Sequence, residues 1–213
     1  MRLRNKPWAP EYLNNNKHYF YNESLLLDKH FFKDNYNNNP IHLEIGTGKG
    51  NFIESLAKDN LSINYIALEK FPSVLVILLK RIENENLNNL KLITIDASEL
   101  SRIFEPNSIE KIYINFPDPW PKERHAKRRL MSNSFLEQYY KVLKQDGIIE
   151  FKSDQKILYK YWFEILKEFK GKYKIVKKSR NLHFFNNVKY TTEYEKKFTK
   201  LGNRIYFIKI KKL

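Results

Sequence analysis

The amino-acid sequence predicts a single α/β domain: a mostly parallel sheet of seven strands with an antiparallel edge strand. Three observations predict it: seven short strand-like segments, amphipathic helical segments between the early ones, and 213 residues without a linker-like break. A chain of this length buries roughly 70% of its unfolded surface as one domain. Strands that alternate with helices imply right-handed crossovers, so neighbouring strands should run parallel.

The predicted strands cover residues 41–45, 63–68, 90–95, 111–116, 147–152, 173–177 and 204–210. A long polar connection without a convincing helical pattern joins the last two, so we expect that pair to run antiparallel at one edge. One domain should span residues 1–213, with residues 1–20 as a mobile N-terminal arm.

The predicted helices carry apolar residues on one face at α-helical spacing. They cover residues 51–58, a segment that Ser73 caps and that runs to Ile82, residues 133–145, and residues 155–170. Glycines follow the last two segments, as expected where a helix ends.

Composition limits the possible functions. Lys and Arg outnumber Asp and Glu by 39 to 24, giving a net charge of +15 that favours a polyanionic partner, nucleic acid first. AT-rich coding would also enrich Lys, so the placement of the charges must decide. The chain has no cysteine, which excludes disulfides, zinc–thiolate sites and cysteine nucleophiles.

The chain shows no sign of a membrane or secretion segment. Its N-terminus lacks an apolar stretch, and the longest aliphatic run, residues 74–79, is too short to span a bilayer. We therefore expect a cytoplasmic protein with no membrane partner. The five histidines lack ligand spacing, so no metal is predicted, and the sequence does not decide between a monomer and a homodimer.

A glycine-rich turn follows the first predicted strand in LEIGTGKGNF, at Gly46, Gly48 and Gly50. Such glycines let the backbone turn tightly and approach a ligand. In open α/β sheets, ligands bind at the carboxyl ends of the strands, where the strand order reverses. The dinucleotide fingerprint needs another glycine where Asn51 stands, which argues against the alternative of an NAD-dependent oxidoreductase.

Three acids stand at three successive strand ends around this turn. Glu44 suits a ligand with a cationic amino-acid end. Glu69 can accept hydrogen bonds from both ribose hydroxyls, and Asp96 can accept one from the adenine amine. Together they predict an S-adenosylmethionine site, and here the chain resembles the class I methyltransferases, which implies their Rossmann-like sheet.

The fourth strand runs into a rigid turn, FPDPWP, that places Asp118 and Trp120 among three prolines. We expect this turn to line the place of methyl transfer, with Asp118 as the catalytic candidate that stabilises developing positive charge. The alternative is a stiff turn with Trp120 in the core. A basic run follows, at Arg124, His125, Lys127, Arg128 and Arg129. It either holds RNA phosphates or forms a solvated helical face.

PDPWPKERHAKRRL resembles the signature of the bacterial tRNA (guanine-N7-)-methyltransferases, and the likeness covers essentially the whole chain. RLRNKPWAP, LEIGTGKG, the strand-end acids, FKSD at 151–154 and TEYE at 192–195 all match, and Glu123 departs where a basic residue is more usual. The resemblance implies methylation of guanine N7 at position 46 of the tRNA variable loop. It implies that Glu44, Glu69, Asp96 and Asp118 bind S-adenosylmethionine, and that tRNA contacts residues 124–129, Lys122, Asp154, Thr192, Glu193, Tyr194 and Glu195.

Guanine presents N1–H and an amino group side by side, and a carboxylate can accept both. Asp154 and Glu195 are the candidates for this recognition, with Thr192 and Tyr194 orienting or stacking the unstacked base. Asp154 could instead be a helix N-cap, and residues 191–195 an ordinary polar loop. Two other functions stay open: methylation of another RNA base atom, and an RNA-binding module with a degenerate cofactor site.

Overall fold

The computed structural model describes residues 5–22, 38–184 and 187–213. Within these residues, eight strands form one sheet. The strands are β1 Phe20–Tyr21, β2 Ile41–Ile45, β3 Asn64–Leu68, β4 Leu90–Ile93, β5 Ile109–Asn115, β6 Leu143–Ser153, β7 Tyr173–Ser179 and β8 Tyr206–Lys212. Each of the seven predicted strands is present, and β1 is an additional strand that pairs with β4.

Seven α-helices connect these strands within the described residues. They are α1 Ala9–Asn15, α2 Asn51–Asp59, α3 Pro72–Ile82, α4 Leu100–Ile103, α5 Asn133–Val142, α6 Lys156–Glu168 and α7 Glu193–Lys200. Two short 3-10 helices cover Ala97–Glu99 and Glu123–Arg128. The predicted helices correspond to α2, α3, α5 and α6.

The sheet order is β1-β4-β3-β2-β5-β6-β8-β7. Neighbours from β1 to β6 pair parallel, whereas β8 runs antiparallel to both β6 and β7. The mostly parallel sheet and the antiparallel pairing of the last two strands are thus confirmed. The chain moves outward from β2 to one side and from β5 to the other, so the strand order reverses between these two strands.

Two apolar clusters cover the two faces of the sheet. One contains Ile53, Leu78 and Leu13, which come from α2, α3 and α1. The other contains Leu136 from α5 and Trp162 from α6, with residues of α4. Long β-branched and leucine side chains fill both clusters, and their burial is the main force that holds the helices against the sheet.

The N-terminal segment packs against the domain where it is described. Ala9 and Leu13 of α1 are fully buried, and the Lys6 amide donates to Ser73 Oγ at 2.9 Å. Ser73 therefore binds this segment. The prediction that Ser73 caps α3 is wrong, because the helix begins at Pro72 with Phe71 as its N-cap. The mobility of residues 1–20 stays a prediction, and residues 1–4 lie outside the described residues.

The connection between β7 and β8 differs from the prediction because it contains α7. Thr192 Oγ1 accepts a hydrogen bond from the Glu195 amide at 2.9 Å, and the Glu195 carboxylate accepts one from the Thr192 amide at 3.4 Å, which forms a capping box. The alternative of an ordinary polar loop at 191–195 is therefore wrong. Across the three described ranges, every helix falls short of the length and apolar character needed to cross a membrane.

Candidate functional site

The acids predicted from the strand ends meet at one edge of the sheet. Glu44 is the penultimate residue of β2, Glu69 follows β3, and Asp96 follows β4. Asp118 and Asp154 lie beyond the ends of β5 and β6. Because these five strands are parallel, their carboxyl ends share an edge, and the order reverses in its middle.

The glycine turn after β2 has a left-handed backbone at each of its glycines. The φ angles are 71° at Gly46, 59° at Gly48 and 77° at Gly50. A Cβ atom at Gly50 would lie 2.4 Å from a Leu78 methyl group, whereas none at Gly46 or Gly48 would meet another atom within 4 Å. Gly50 therefore allows α2 to pack closely on α3, and Gly46 and Gly48 leave open space along the turn.

A cavity of about 800 Å³ opens on one side of this turn. Glu69 lines it with each carboxylate oxygen held by a backbone amide, Gly48 N–H at 2.9 Å and Phe71 N–H at 3.1 Å. Burial raises the pKa of Glu69, and these amides oppose the rise. The carboxylate is thus fixed in position. Other lining residues include Ile45, Gly46, Leu68, Phe71, Ile95, Asp118, Trp120, Leu130 and Phe135.

Asp96 lines the same cavity and begins the 3-10 helix that follows β4. Its carboxylate accepts from Lys70 Nζ at 2.6 Å and from the Ser98 amide at 2.9 Å. Burial would raise the pKa of Asp96, but these donors outweigh it and lower the pKa to about 2. Asp96 is therefore a carboxylate at neutral pH, held in place by its neighbours.

A second cavity of about 230 Å³ lies on the other side of the turn and shares Gly46 with the first. Glu44 is buried in its wall and accepts from Thr47 Oγ1 at 2.5 Å and Asn115 Nδ2 at 2.7 Å. Burial raises the pKa of Glu44 to about 7 although both donors lower it. Asn51 Oδ1, in the same wall, is a buried acceptor without a partner in the part of the chain that the structure describes.

The proline-rich turn after β5 is strained at both ends. Phe116 and Trp120 have φ angles of 51° and 40°, in the left-handed region that side chains other than glycine rarely adopt. Phe116 lines the smaller cavity, and Asp118 and Trp120 line the larger one. Trp120 is half-buried at the cavity wall, so the alternative of a core tryptophan is wrong.

The basic run divides into exposed residues and one buried residue. Lys127 and Arg128 line the larger cavity, and the Arg128 guanidinium lies 5.0 Å from the Trp120 ring centroid. Lys122 and Arg124 are exposed, and His125 packs edge-on against Trp120.

Arg129 differs from the expectation that it faces RNA. Its side chain is only 2% exposed and donates to the Trp120 carbonyl oxygen from Nε at 3.2 Å and from Nη2 at 3.1 Å. The guanidinium also lies 4.4 Å from the Tyr161 ring centroid. Arg129 therefore holds the backbone of the proline-rich turn in place through the Trp120 carbonyl group.

Glu195 also differs from its expected role in base recognition. The side chain is fully buried and binds Lys152 Nζ, at 3.0 Å, and His183 Nε2, at 2.8 Å. It also completes the capping box with Thr192. With its oxygens occupied in this way, the carboxylate has no free edge to offer a guanine, and Glu195 instead anchors α7 to β6.

Tyr194 lines the smaller cavity, and Asp154 lies beside it. The Tyr194 ring stacks on Phe198 with a centroid separation of 4.0 Å and lies 5.0 Å from the Phe116 ring. Its hydroxyl donates to Asp154 Oδ2 at 3.4 Å. Gln155, not Asp154, is the N-cap of α6, so the helix-cap alternative for Asp154 is wrong.

Glu193, the remaining residue of the TEYE segment, is exposed and pairs with Lys49 of the glycine turn at 3.0 Å. This ion pair joins α7 to the glycine turn across the mouth of the smaller cavity, because both residues line it.

Sequence reasoning missed Thr47, Asn51 and Lys70 as site residues. Each is the sequence neighbour of a predicted site residue: Thr47 and Asn51 adjoin glycines of the turn, and Lys70 adjoins Glu69. Their positions were the only signal in the sequence that could have indicated them. Lys70 reaches Asp96, 26 residues away, and no local pattern in the sequence indicates that contact.

Comparison with known proteins agrees with this geometry. Residues 38–208 match the model of a family described as "Putative methyltransferase". A tRNA (guanine-N(7)-)-methyltransferase from Geobacillus sp. is 44% identical, over 99% of this chain and 96% of its own length. Its counterpart from Bacillus subtilis is 41% identical, over 97% and 96%.

A solved structure of the 16S rRNA methyltransferase KamB shares the fold. It superposes with a TM-score of 0.64 over 87% of this chain and 94% of that chain, at 12% sequence identity. At this identity the likeness concerns the Rossmann-like architecture alone.

Proposed function

The chain belongs to the family of tRNA (guanine-N(7)-)-methyltransferases, and from this premise we propose how its site holds the two substrates. The enzyme transfers a methyl group from S-adenosylmethionine to N7 of a guanine in tRNA. We propose guanine 46 of the variable loop as the target, the position that the resemblance of the PDPW segment implies.

The residues of both cavities suit S-adenosylmethionine. Gly46 and Gly48 leave open space between the cavities, where a ligand can lie across the turn. On one side, Glu69 is fixed to accept from the ribose hydroxyls, with Asp96 beside it for the adenine amine. On the other side, the amino-acid end of the ligand would meet Glu44 and the unpartnered Asn51 oxygen.

Asp96 and Glu44 differ in how readily they can accept a hydrogen bond from the cofactor. Asp96 already accepts from Lys70 and Ser98, so an adenine amine would share a carboxylate that is fully charged. Glu44 accepts from two neutral donors and has a pKa near neutrality, so an approaching ammonium group would favour its ionised form.

When bound, S-adenosylmethionine supplies an electrophilic methyl group on its sulfonium sulfur. Guanine N7 carries a lone pair and has no proton to lose, so the site needs no general base. Its task is alignment, which can contribute on the order of 7–11 kcal/mol. Asp118 lies on the wall of the larger cavity, and its carboxylate would stabilise the positive charge of the site during transfer.

The guanine is proposed to enter at the mouth of the smaller cavity. Asp154 would accept from its N1–H and amino group, and the Tyr194 ring, 41% exposed, offers a stacking surface beside Phe116. Unstacking the base costs a few kcal/mol, which stacking on Tyr194 partly offsets. Thr192 and Glu195 act indirectly, because they start and anchor the helix that carries Tyr194.

The exposed part of the basic run is proposed to hold RNA phosphates beside the site. This part comprises Lys122, Arg124, Lys127 and Arg128, with His125 between them. Arg129 is buried and does not belong to this exposed part. The single observation that carries the proposal is that two adjoining cavities, with fixed acids on one side and an exposed aromatic ring on the other, meet at the reversal of strand order.

The test is methyl transfer from labelled S-adenosylmethionine to unmodified tRNA, followed by nucleoside analysis and mapping of the labelled base. We expect 7-methylguanosine at position 46. Label in another nucleoside would overturn the choice of atom, and no transfer by protein that binds the cofactor would favour an RNA-binding module. Asp118→Asn and Asp154→Asn separate the roles: the first should lower kcat, and the second should mainly raise KM for tRNA.

A further inference from the structure

A second basic surface lies around α6 and the end of β7. In the sheet, β7 and β5, which leads into the proline-rich turn, stand on opposite sides of β6. It consists of Lys156 and Lys160 on α6, Lys178 near the end of β7, and Arg180 just beyond β7. All four side chains are exposed. We call these four residues the α6–β7 surface.

The four residues converge on one face of α6. Lys156 and Lys160 are one turn apart, beside the ring pair of Tyr159 and Phe163, whose centroids lie 5.0 Å apart. Lys178 Nζ lies 5.5 Å from the Phe163 ring centroid. Burial raises the pKa of Tyr159, and the nearby charge of Arg180 opposes this rise.

None of the four cations has a carboxylate partner within the described ranges. Elsewhere on the surface such pairs are common: Lys167, on the same helix, binds Glu164 at 2.7 Å, and Lys172 binds Glu137 at 2.7 Å. The positive charge of the α6–β7 surface is therefore not neutralised by an ion pair with any carboxylate that the structure describes.

This charge placement works against the stability of α6. The first turn of the helix contains Lys156 and no acidic residue, although the helix dipole favours acids there. Lys156 and Lys160 are also like charges at i and i+4, which repel. By contrast, α7 begins with Glu193 and Glu195 and ends with basic residues, as a helix optimised for its own stability does. An anionic partner bound here would offset both the unfavourable interaction of Lys156 with the helix dipole and the repulsion between Lys156 and Lys160.

The location identifies the partner. α6 begins two residues after Asp154, and the end of β7 lies at the same edge of the sheet, because Ser179 pairs with Phe207 and Phe207 with Lys152. A tRNA whose guanine sits between Tyr194 and Asp154 would continue past the site on both sides. The basic run after the proline-rich turn lies on one side and the α6–β7 surface on the other.

We propose that Lys156, Lys160, Lys178 and Arg180 form a second phosphate-binding surface for the tRNA substrate. The proposal rests on the proposed function, since it places a further part of the same RNA. These cations contact the backbone and carry no base specificity, so they strengthen the binding of any tRNA to a similar degree. Together with the first basic run, they would hold the RNA at two points on either side of the flipped base.

The test compares two quadruple variants by tRNA affinity as a function of salt. One carries Lys156→Gln, Lys160→Gln, Lys178→Gln and Arg180→Gln. The control carries Lys17→Gln, Lys141→Gln, Lys144→Gln and Lys170→Gln, which remove the same charge near the amino ends of the parallel strands. Each phosphate contact contributes roughly 0.7–0.9 to the slope of log affinity against log salt.

We expect the first variant to flatten this slope by roughly 3 and to bind tRNA at least about tenfold more weakly near 0.15 M salt. The control should keep the wild-type slope, and arginine at the same four positions should restore it. Equal slopes for wild type and first variant, or equal losses in both variants, would overturn the proposal.

Folding and the proposed function are checked separately. S-adenosylmethionine binding by calorimetry shows whether each variant is folded. If the quadruple variant loses it, the single changes Lys160→Gln and Arg180→Gln carry the test, each with an expected slope change of roughly 0.7–0.9. Failure of the wild-type enzyme to methylate tRNA would count against the proposed function, whereas a normal wild type with an unchanged variant slope would count against this surface alone.

Discussion

Lys152 Nζ donates to both carboxylate oxygens of Glu195, at 3.2 and 3.0 Å, with both side chains at least nine-tenths buried. The two residues are 43 positions apart, on β6 and on α7. Lys152 also donates to the Tyr190 carbonyl oxygen at 3.2 Å. This pair is therefore the attachment of the TEYE segment to the sheet, and the position of Tyr194 depends on it.

Glu195→Gln should destabilise the protein by about 3–5 kcal/mol, because it leaves the buried Lys152 charge without its partner. Adding Lys152→Met to this variant should recover part of the loss, since it removes the unpaired charge. Urea unfolding of the two single variants and the double variant measures both effects. Equal stability of Glu195→Gln and wild type would mean that the ion pair does not hold α7.

Cofactor binding should depend on pH through Glu44. Burial raises its pKa to about 7, so the folded protein holds a proton there that the unfolded chain releases above its ordinary value of 4.5. This contribution to stability is present below the unfolded pKa and is lost as the pH rises through 7. Binding to an ammonium group needs the ionised form, so S-adenosylmethionine affinity should fall about tenfold for each pH unit below 7.

Calorimetry between pH 6 and pH 8 measures this dependence. Glu44→Gln should bind more weakly and show a flat profile over the same range. A wild-type profile that is also flat would show that the cofactor does not meet Glu44.

Two alanine substitutions in the glycine turn should rank in one order for loss of stability and in the reverse order for loss of cofactor binding. Gly50→Ala should cost roughly 2–4 kcal/mol of unfolding free energy, because it adds a clash with Leu78 to a left-handed backbone. Gly46→Ala should cost roughly 1–2 kcal/mol, since only the backbone is strained. It should nevertheless weaken S-adenosylmethionine binding more, because its methyl group enters the space between the cavities.

Thermal unfolding and cofactor titration of both variants test this pair. A larger loss of stability for Gly46→Ala than for Gly50→Ala would contradict the assigned roles.

Substitutions of the neighbours Arg128 and Arg129 should affect different properties, RNA binding for Arg128 and stability for Arg129. Arg129→Gln should cost roughly 1.5–3 kcal/mol, because the buried guanidinium loses its bonds to the Trp120 carbonyl. Arg128→Gln should leave stability nearly unchanged and flatten the salt dependence of tRNA affinity by roughly 0.7–0.9. If Arg129→Gln instead changes the salt slope without changing stability, the residue leaves its buried position to bind RNA.

The parallel sheet was predictable because strands and helices alternate with clear apolar periods from residue 41 to residue 170. The helix α7 was missed because its sequence, EYEKKFTK, carries little apolar character. Thr192 and Glu195 nevertheless match the capping-box pattern that precedes a helix, so a signal was present. The additional strand β1 has only two residues, which is too short for a periodic pattern.

The strand-end acids were predictable from position alone, whereas the orientation of charged side chains was not. Nothing in KERHAKRRL distinguishes the buried Arg129 from the exposed Arg128 beside it. The difference arises from the carbonyl group of Trp120, which the strained turn directs toward Arg129. Nothing in the sequence likewise distinguishes Glu195 from other acids in polar segments, because its partner Lys152 lies 43 residues away and meets it only in the folded protein.

The position of β7 at the end of the sheet has a consequence for solubility. It is the last strand in the sheet order of the described residues, and its Ile175 and Val176 are 37% and 52% exposed. Such an edge invites pairing with the same edge of another molecule. Lys174 and Lys177 stand on this strand, and a register shift interrupts its pairing between Ile175 and Lys177. The lysines and the register shift therefore oppose pairing of two molecules at this edge, in addition to any part that the charge plays in RNA binding.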